Sequence, residues 1–148
     1  MRASDRLFLI VAPAAVLASV DLVVKLKVPT ELWAYHRRSD EWVALSVALL
    51  FAASSLAFVR SRAVAVAAGV MCGGVIGNLV SARADGNWVP NPLVIADYGR
   101  LIAFNLADVF FVVGELLLMA TLMVVVMRSR QSPLLSPASL RRRGSRQQ

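Results

Sequence analysis

The segment LIAFNLADVFFVVGELLLMATLMVVVM, residues 101–127, decides the fold class of this chain. It is an almost continuous apolar run, and about 20 apolar residues in a helix are enough to cross the hydrocarbon core of a bilayer. The run nevertheless carries Asn105 and Asp108 near its start and Glu115 further along. A carboxylate in lipid is costly unless it is paired, hydrated or protonated. We therefore expect these residues to face the inside of a helical bundle.

Three further apolar blocks precede this run, at about residues 7–26, 43–59 and 63–82. The chain has 148 residues and is 58% hydrophobic, which is more than one soluble core of this size accounts for. We predict an all-α membrane protein whose single domain, residues 1–127, contains four transmembrane helices. A cleaved signal peptide is the alternative for the first block, but the block continues past Asp21 and is long enough to span a bilayer.

The placement of the positive charge, +7 in total, predicts the orientation of the protein. Arginines outnumber acidic residues before the first block, at the turn of residues 60–62 and after the fourth block, and Asp5 is the one acidic residue in these three segments. A Lys/Arg excess marks the cytoplasmic side, so both termini are predicted to be cytoplasmic. Residues 128–148 are rich in Ser, Pro and Arg and are predicted to form a disordered basic tail that contacts anionic membrane lipid rather than nucleic acid.

The second outward connection, at about residues 83–100, is unusual in composition. Pro90 and Pro92 exclude a regular helix. Trp88, Tyr98 and their aliphatic neighbours are too apolar for a fully solvated loop, and such aromatic residues are favoured at membrane interfaces. We predict a short extended or re-entrant piece at the outer surface of the membrane.

Polar residues of three blocks are expected to meet at one depth, near the outer surface. Asp21 lies near the outer end of the first block, Asn78 near that of the third, and Asn105 one helical turn before Asp108. Lys25 is expected to extend outward to the surface. Such a cluster predicts either a functional site or a structural network of interhelical hydrogen bonds.

Metal binding is not expected from the residue types present. The single cysteine, Cys72, lies in an apolar block, and the single histidine, His36, has no His or Cys neighbour at ligand spacing. No metal or other cofactor is predicted.

Three pieces of the chain resemble motifs of the lipoprotein signal peptidase (signal peptidase II) family. SVDLVVKL at residues 19–26 is similar to its D-Q-x-T-K motif. GGVIGNL at 73–79 and AFNLADVFFVVG at 103–114 are similar to G-G-A-x-G-N-L and F-N-x-A-D-x-x-x-x-x-G. The resemblance implies an intramembrane aspartic endopeptidase of the bacterial plasma (inner) membrane, which cuts the signal peptide from a lipid-modified prolipoprotein.

In such an enzyme two aspartates share a proton, and the ionised one activates the attacking water. The resemblance implies that Asp108 is one of them. It also implies that the neighbouring polar residues orient it or hold the substrate; these are Asn105, Asn78, Asp21 and Lys25.

The position of the family's second catalytic aspartate is occupied by Pro90 or Asn91 in this chain. Asp97, which precedes Tyr98 as the family pattern suggests, is the first candidate for a replacement carboxylate, and Asp85 is the second.

Two alternatives to the peptidase remain. One is a degenerate, non-catalytic family member that binds a lipid-modified peptide or a membrane partner. The other is a small proton-coupled carrier that uses Asp108 and Glu115, although no pair of interrupted helices typical of such carriers is evident.

Overall fold

The computed structural model describes residues 2–131, so most of the predicted basic tail lies outside the described residues. The chain is mostly helical, and the predicted set of four helices long and apolar enough to cross a membrane is confirmed. The helices are α1 (Ala3–Lys27), α2 (Asp40–Ser55, extended by a 3-10 turn at Leu56–Phe58), α3 (Arg62–Ala84) and α4 (Leu106–Gln131).

Side-chain caps set the starts of the two middle helices. The Ser39 hydroxyl accepts a hydrogen bond from the Trp42 N–H at 3.2 Å at the start of α2. The Ser61 hydroxyl accepts one from the Val64 N–H at 3.3 Å at the start of α3. Each cap satisfies a backbone donor that has no partner within the helix. The very short turn before Ser61 makes α2 and α3 antiparallel neighbours.

The central helix of the bundle is α3. Helix α1 runs parallel to α3, since Gly69 lies against Ile10 and Gly77 lies against Asp21. Helix α4 runs antiparallel to α3. In the most apolar stretch of α3, 67% of the residues are buried, whereas in the most apolar stretch of α4 only 6% are. The outer faces of α1, α2 and α4 are therefore the ones available to lipid.

Helix α4 contacts α3 through a narrow stripe of residues. Ala107, Phe111 and Gly114 recur at the spacing of one helical face. A side chain at Gly114 would overlap the backbone of Met71, so the glycine is what permits this close approach. Glu115 is next to this stripe and is exposed, so the expectation that it points into the bundle is wrong.

Both ends of the fourth helix differ from the prediction. Residues 101–104 belong to a β-strand, and α4 begins only at Leu106. At the other end it continues through Arg128 to Gln131, so any tail begins later than residue 128. Hydropathy alone did not separate the strand from the helix, because both are apolar.

Four short strands make two small antiparallel sheets in the connections. The first connection contributes β1 (Tyr35–Arg37), which pairs with β2 (Trp88–Pro90) in the second. The strands β3 (Leu93–Asp97) and β4 (Arg100–Phe104) form a hairpin whose tip, Tyr98–Gly99, has positive φ angles of 43° and 76°. The sequence predicted one short extended or re-entrant piece in the second connection, where the structure has β2 and the β3–β4 hairpin, and it made no prediction of a strand in the first.

Candidate functional site

Asp108 occupies the first turn of α4, where it forms a reciprocal cap with Asn105. The Asn105 side-chain oxygen accepts from the Asp108 N–H at 2.9 Å, and Asp108 Oδ2 accepts from the Asn105 N–H at 3.2 Å. This is the geometry of a capping box. Asn105 therefore precedes the helix, instead of lying one turn before Asp108 within it as predicted.

A buried ion pair lies behind this cap. Lys25 Nζ is 2.7 Å from Asp21 Oδ2, with both side chains almost completely buried, and Asp21 Oδ1 accepts from the Ala107 N–H at 2.8 Å. The prediction that Lys25 extends to the surface is wrong, because Asp21 and Asn78 hold it inside the bundle. A Cβ at Gly77 would lie 2.6 Å from Asp21 Oδ2, so the glycine provides the space for the carboxylate.

Asn78 joins the ion pair to Asp108. Its side-chain oxygen accepts from Lys25 Nζ at 2.9 Å, and its Nδ2 donates to Asp108 Oδ1 at 2.9 Å. One continuous chain of polar contacts thus runs from α1 through α3 to α4. The structure brings together Asp21, Asn78 and Asp108, as expected from their depth in the sequence blocks, and it adds Lys25 to them.

A second arm of the network leads from Asn105 to the first connection. Asn105 Nδ2 donates to Asn91 Oδ1 at 2.5 Å, and Asn91 Nδ2 contacts His36 Nδ1 at 2.9 Å. Because the capping box fixes which end of the Asn105 amide donates, the pattern assigns His36 Nδ1 as an acceptor. Asn91 is 1% exposed, and its side-chain amide is held by Asn105 and His36.

The network borders a groove of about 320 Å³ between α2, α3 and α4. Its polar end carries Arg38, Asn78 and Asp108. The rest is lined mainly by apolar side chains, which are Trp42, Leu45, Leu49, Val75 and Phe111, with Ser46 among them. The groove is thus polar at the end near Asp108 and mainly apolar along the rest of its length, like other binding clefts for largely apolar ligands.

Arg38 and Trp42 were missed by the sequence analysis. Arg38 Nη2 lies 3.9 Å from Asp108 Oδ1, and its guanidinium carbon is 4.9 Å from the centre of the Trp42 ring. The ring and the carboxylate together place the cation over the mouth of the groove. Only the charge of the RRSDE segment could have pointed to such a contact, and that signal is weak.

The structure does not bring either of the candidate second carboxylates to Asp108. Asp97 is exposed, and it lies opposite Arg100 in the strand register, next to the tip of the β3–β4 hairpin. Four residue steps of β4 separate that tip from Phe104, which is roughly 13 Å at about 3.3 Å per residue. Asp85 is exposed at the C-terminal end of α3. In this geometry neither can share a proton with Asp108, which requires direct contact.

Glu115 lies two helical turns beyond Asp108 and does not line the groove. Seven residues of helix separate the two carboxyl groups by roughly 10 Å along the axis. Within residues 2–131 no chain of hydrogen bonds or ion pairs links Asp108 to Glu115, so this geometry does not support the carrier hypothesis.

The groups at the mouth of the groove can recognise a polar ligand without any bond cleavage. Asp108 can accept a hydrogen bond, Arg38 can donate one to an oxygen, and the Asn78 amide can do both. These are the groups that bind a peptide backbone or a polar head group. Among the described lining residues Asp108 is the one carboxylate. A two-aspartate mechanism needs a second carboxyl group beside it, and these residues do not provide one.

Comparison of the chain with protein-family models, curated protein sequences and solved structures gives no match. The class that the fold defines is a multi-helix protein with four membrane-compatible spans. The resemblance to signal peptidase II stays a prediction that rests on the three motifs.

Proposed function

We propose that this protein is a non-proteolytic membrane protein that binds a lipid-modified peptide in the groove between α2, α3 and α4. The observation that carries the proposal is the pairing of an apolar groove with a polar mouth that contains a single carboxylate, Asp108. A lipid-modified peptide has the matching chemistry, since its acyl chains suit the apolar length and its backbone suits the donors and acceptors at the mouth.

The position of Asn91 further supports binding over cleavage. Its amide is held by Asn105 and His36 and is buried. An amide cannot take up and release the shared proton that the two-aspartate mechanism requires. The peptidase activity implied by the resemblance is the competing prediction, and one assay separates the two.

The assay uses purified protein in detergent and a fluorescent, diacylglyceryl-modified prolipoprotein peptide. Binding is followed by anisotropy, and the peptide is then examined by mass spectrometry. The proposal predicts saturable binding and an intact peptide. Cleavage by the parent protein that is lost in Asp108→Asn would establish the peptidase instead.

A pair of matched variants tests where the peptide binds. Leu49→Trp fills the groove, whereas Leu116→Trp adds the same bulk on the outer face of α4, where Leu116 is 62% exposed. We expect Leu49→Trp to weaken peptide binding at least about tenfold, which is about 1.4 kcal/mol. Leu116→Trp should leave it unchanged, and equal effects would argue against the groove.

A further inference from the structure

Arginine side chains dominate the end of the bundle opposite the Asp108 network. This end holds the start of α1, the turn between α2 and α3 and the end of α4. In the described part of the chain its basic residues are Arg2, Arg6, Arg60, Arg62, Arg128 and Arg130. Asp5 is the one acidic residue among the same segments. Such an imbalance favours an anionic ligand.

Three of these arginines line one pocket. A cavity of about 260 Å³ is bordered by Arg6, Arg60, Ser61 and Arg62. Arg6 is 8% exposed, and its Nε donates to the Ala57 carbonyl at 2.6 Å, so its guanidinium is fixed relative to the turn between α2 and α3. The Ser61 oxygen already accepts from the Val64 N–H, which leaves the hydroxyl proton to donate to a ligand oxygen.

An apolar surface adjoins the arginine pocket. Arg62 also lines a neighbouring depression together with Ser4, Asp5, Phe8 and Leu9. Phe8 is 68% exposed on the outer side of α1, which is one of the faces available to lipid. Arg62 therefore borders both the cationic pocket and the apolar surface along which an acyl chain could lie.

We propose that this arginine pocket binds the phosphate group of an anionic phospholipid, with an acyl chain along Phe8 and Leu9. Guanidinium groups bind phosphate oxygens through paired, charge-assisted hydrogen bonds. The cavity is smaller than the roughly 300–1,000 Å³ of sites for drug-sized ligands, which suits a single head group. The adjoining apolar surface at the ends of the spans favours a lipid over free phosphate.

The test is a titration of the purified full-length protein with phosphatidylglycerol or phosphatidylcholine, followed by native mass spectrometry. The pocket variant is Arg60→Gln/Arg62→Gln, and the matched control is Arg128→Gln/Arg130→Gln, which removes the same charge at the same end. Arg6 is left unchanged, since it supports the fold. We expect a preference for phosphatidylglycerol that falls roughly 25-fold in the pocket variant, about fivefold for each arginine, and much less in the control.

Three outcomes would overturn the proposal. They are no preference for the anionic lipid, an equal loss in both variants, and unchanged binding in the pocket variant. Glycerophosphate and inorganic phosphate serve as competitors without acyl chains. If either displaces phosphatidylglycerol at an equal concentration, the site binds phosphate and the lipid assignment is wrong. Should the double variant unfold, Arg60→Gln alone, at an exposed position, gives the same comparison with Arg128→Gln.

Discussion

At the scale of single residues, Asp108 has a structural task that is independent of any chemistry. It closes the first turn of α4 with Asn105, and the FNLAD segment carries the spacing of a capping box, an N-cap residue followed three positions later by an acid. This signal was present in the sequence. Counting apolar residues concealed it, because the apolar run starts before the cap.

The Asn105 cap leads to the first prediction. Asn105→Ala should lower the free energy of unfolding by about 0.5–2 kcal/mol, because the Asp108 N–H loses its acceptor. Asn105→Ser retains a capping oxygen and should recover the part of the loss that is due to the cap, but not the part due to the hydrogen bond with Asn91. The measurement is thermal unfolding in detergent by circular dichroism. Equal stability of the alanine variant and the parent would contradict the assigned cap.

Lys25 and Asp21 provide a second prediction. Lys25→Met leaves a buried carboxylate without its cation, which should cost about 3–5 kcal/mol of stability. The double variant Asp21→Asn/Lys25→Met removes both charges and should be clearly more stable than Lys25→Met alone. Unfolding of the three proteins under identical conditions checks this. A double variant as unstable as the single one would show that the loss of stability does not come from an unpaired carboxylate at Asp21.

At the scale of elements, the hairpin β3–β4 separates the predicted second carboxylate from the site. The prediction of Asp97 rested on the Asp97-Tyr98 pair, but this pair lies at the hairpin tip, where Tyr98 and Gly99 have positive φ angles. Register and turn geometry depend on pairing between segments, and a single sequence does not encode that pairing in its periodicity.

The hairpin geometry predicts that Asp97 is dispensable. Asp97→Asn should change the free energy of unfolding by less than about 0.5 kcal/mol, since the side chain is exposed. The affinity of the Asp97→Asn variant for the lipid-modified peptide should stay within about twofold of the parent's affinity, a difference of about 0.4 kcal/mol in binding free energy. Asp108→Asn, measured in the same anisotropy assay, is the comparison. A loss of binding in Asp97→Asn as large as in Asp108→Asn would refute this placement.

The contact between α3 and α4 yields a prediction about packing. Gly114→Val places a branched side chain against the Met71 backbone and should cost about 1–3 kcal/mol or more. Ala120→Val, which adds bulk at an exposed position of the same helix, is the control and should be nearly neutral. Thermal unfolding in detergent distinguishes them. If the two variants lose the same stability, α4 does not pack on α3 through Gly114.

At the scale of the whole molecule, the spans were predictable and the contacts of the site were only partly so. Apolar length identifies spans because a bilayer imposes it. The expected meeting of Asp21, Asn78 and Asp108 followed from their depth. The roles of Arg38, His36 and Asn91 could not be predicted, since they depend on the antiparallel pairing of β1 with β2, which brings the two longer connections together.

The two ends of the bundle also differ in chemistry. The end that contains Asp108 combines an acid, an amide and a cation around an apolar groove, whereas the opposite end carries an arginine pocket. The predicted cytoplasmic location of the latter follows the usual excess of Lys and Arg on that side.

Photo-crosslinking within the groove tests the central claim most directly. A photoreactive amino acid is placed at Leu49, or at Leu116 as the control, and the protein is irradiated with the lipid-modified peptide. If the peptide binds in the groove without being cut, Leu49 captures the whole, uncleaved peptide and Leu116 captures little. Capture of a peptide that has lost its signal segment, or equal capture at both positions, would contradict this claim.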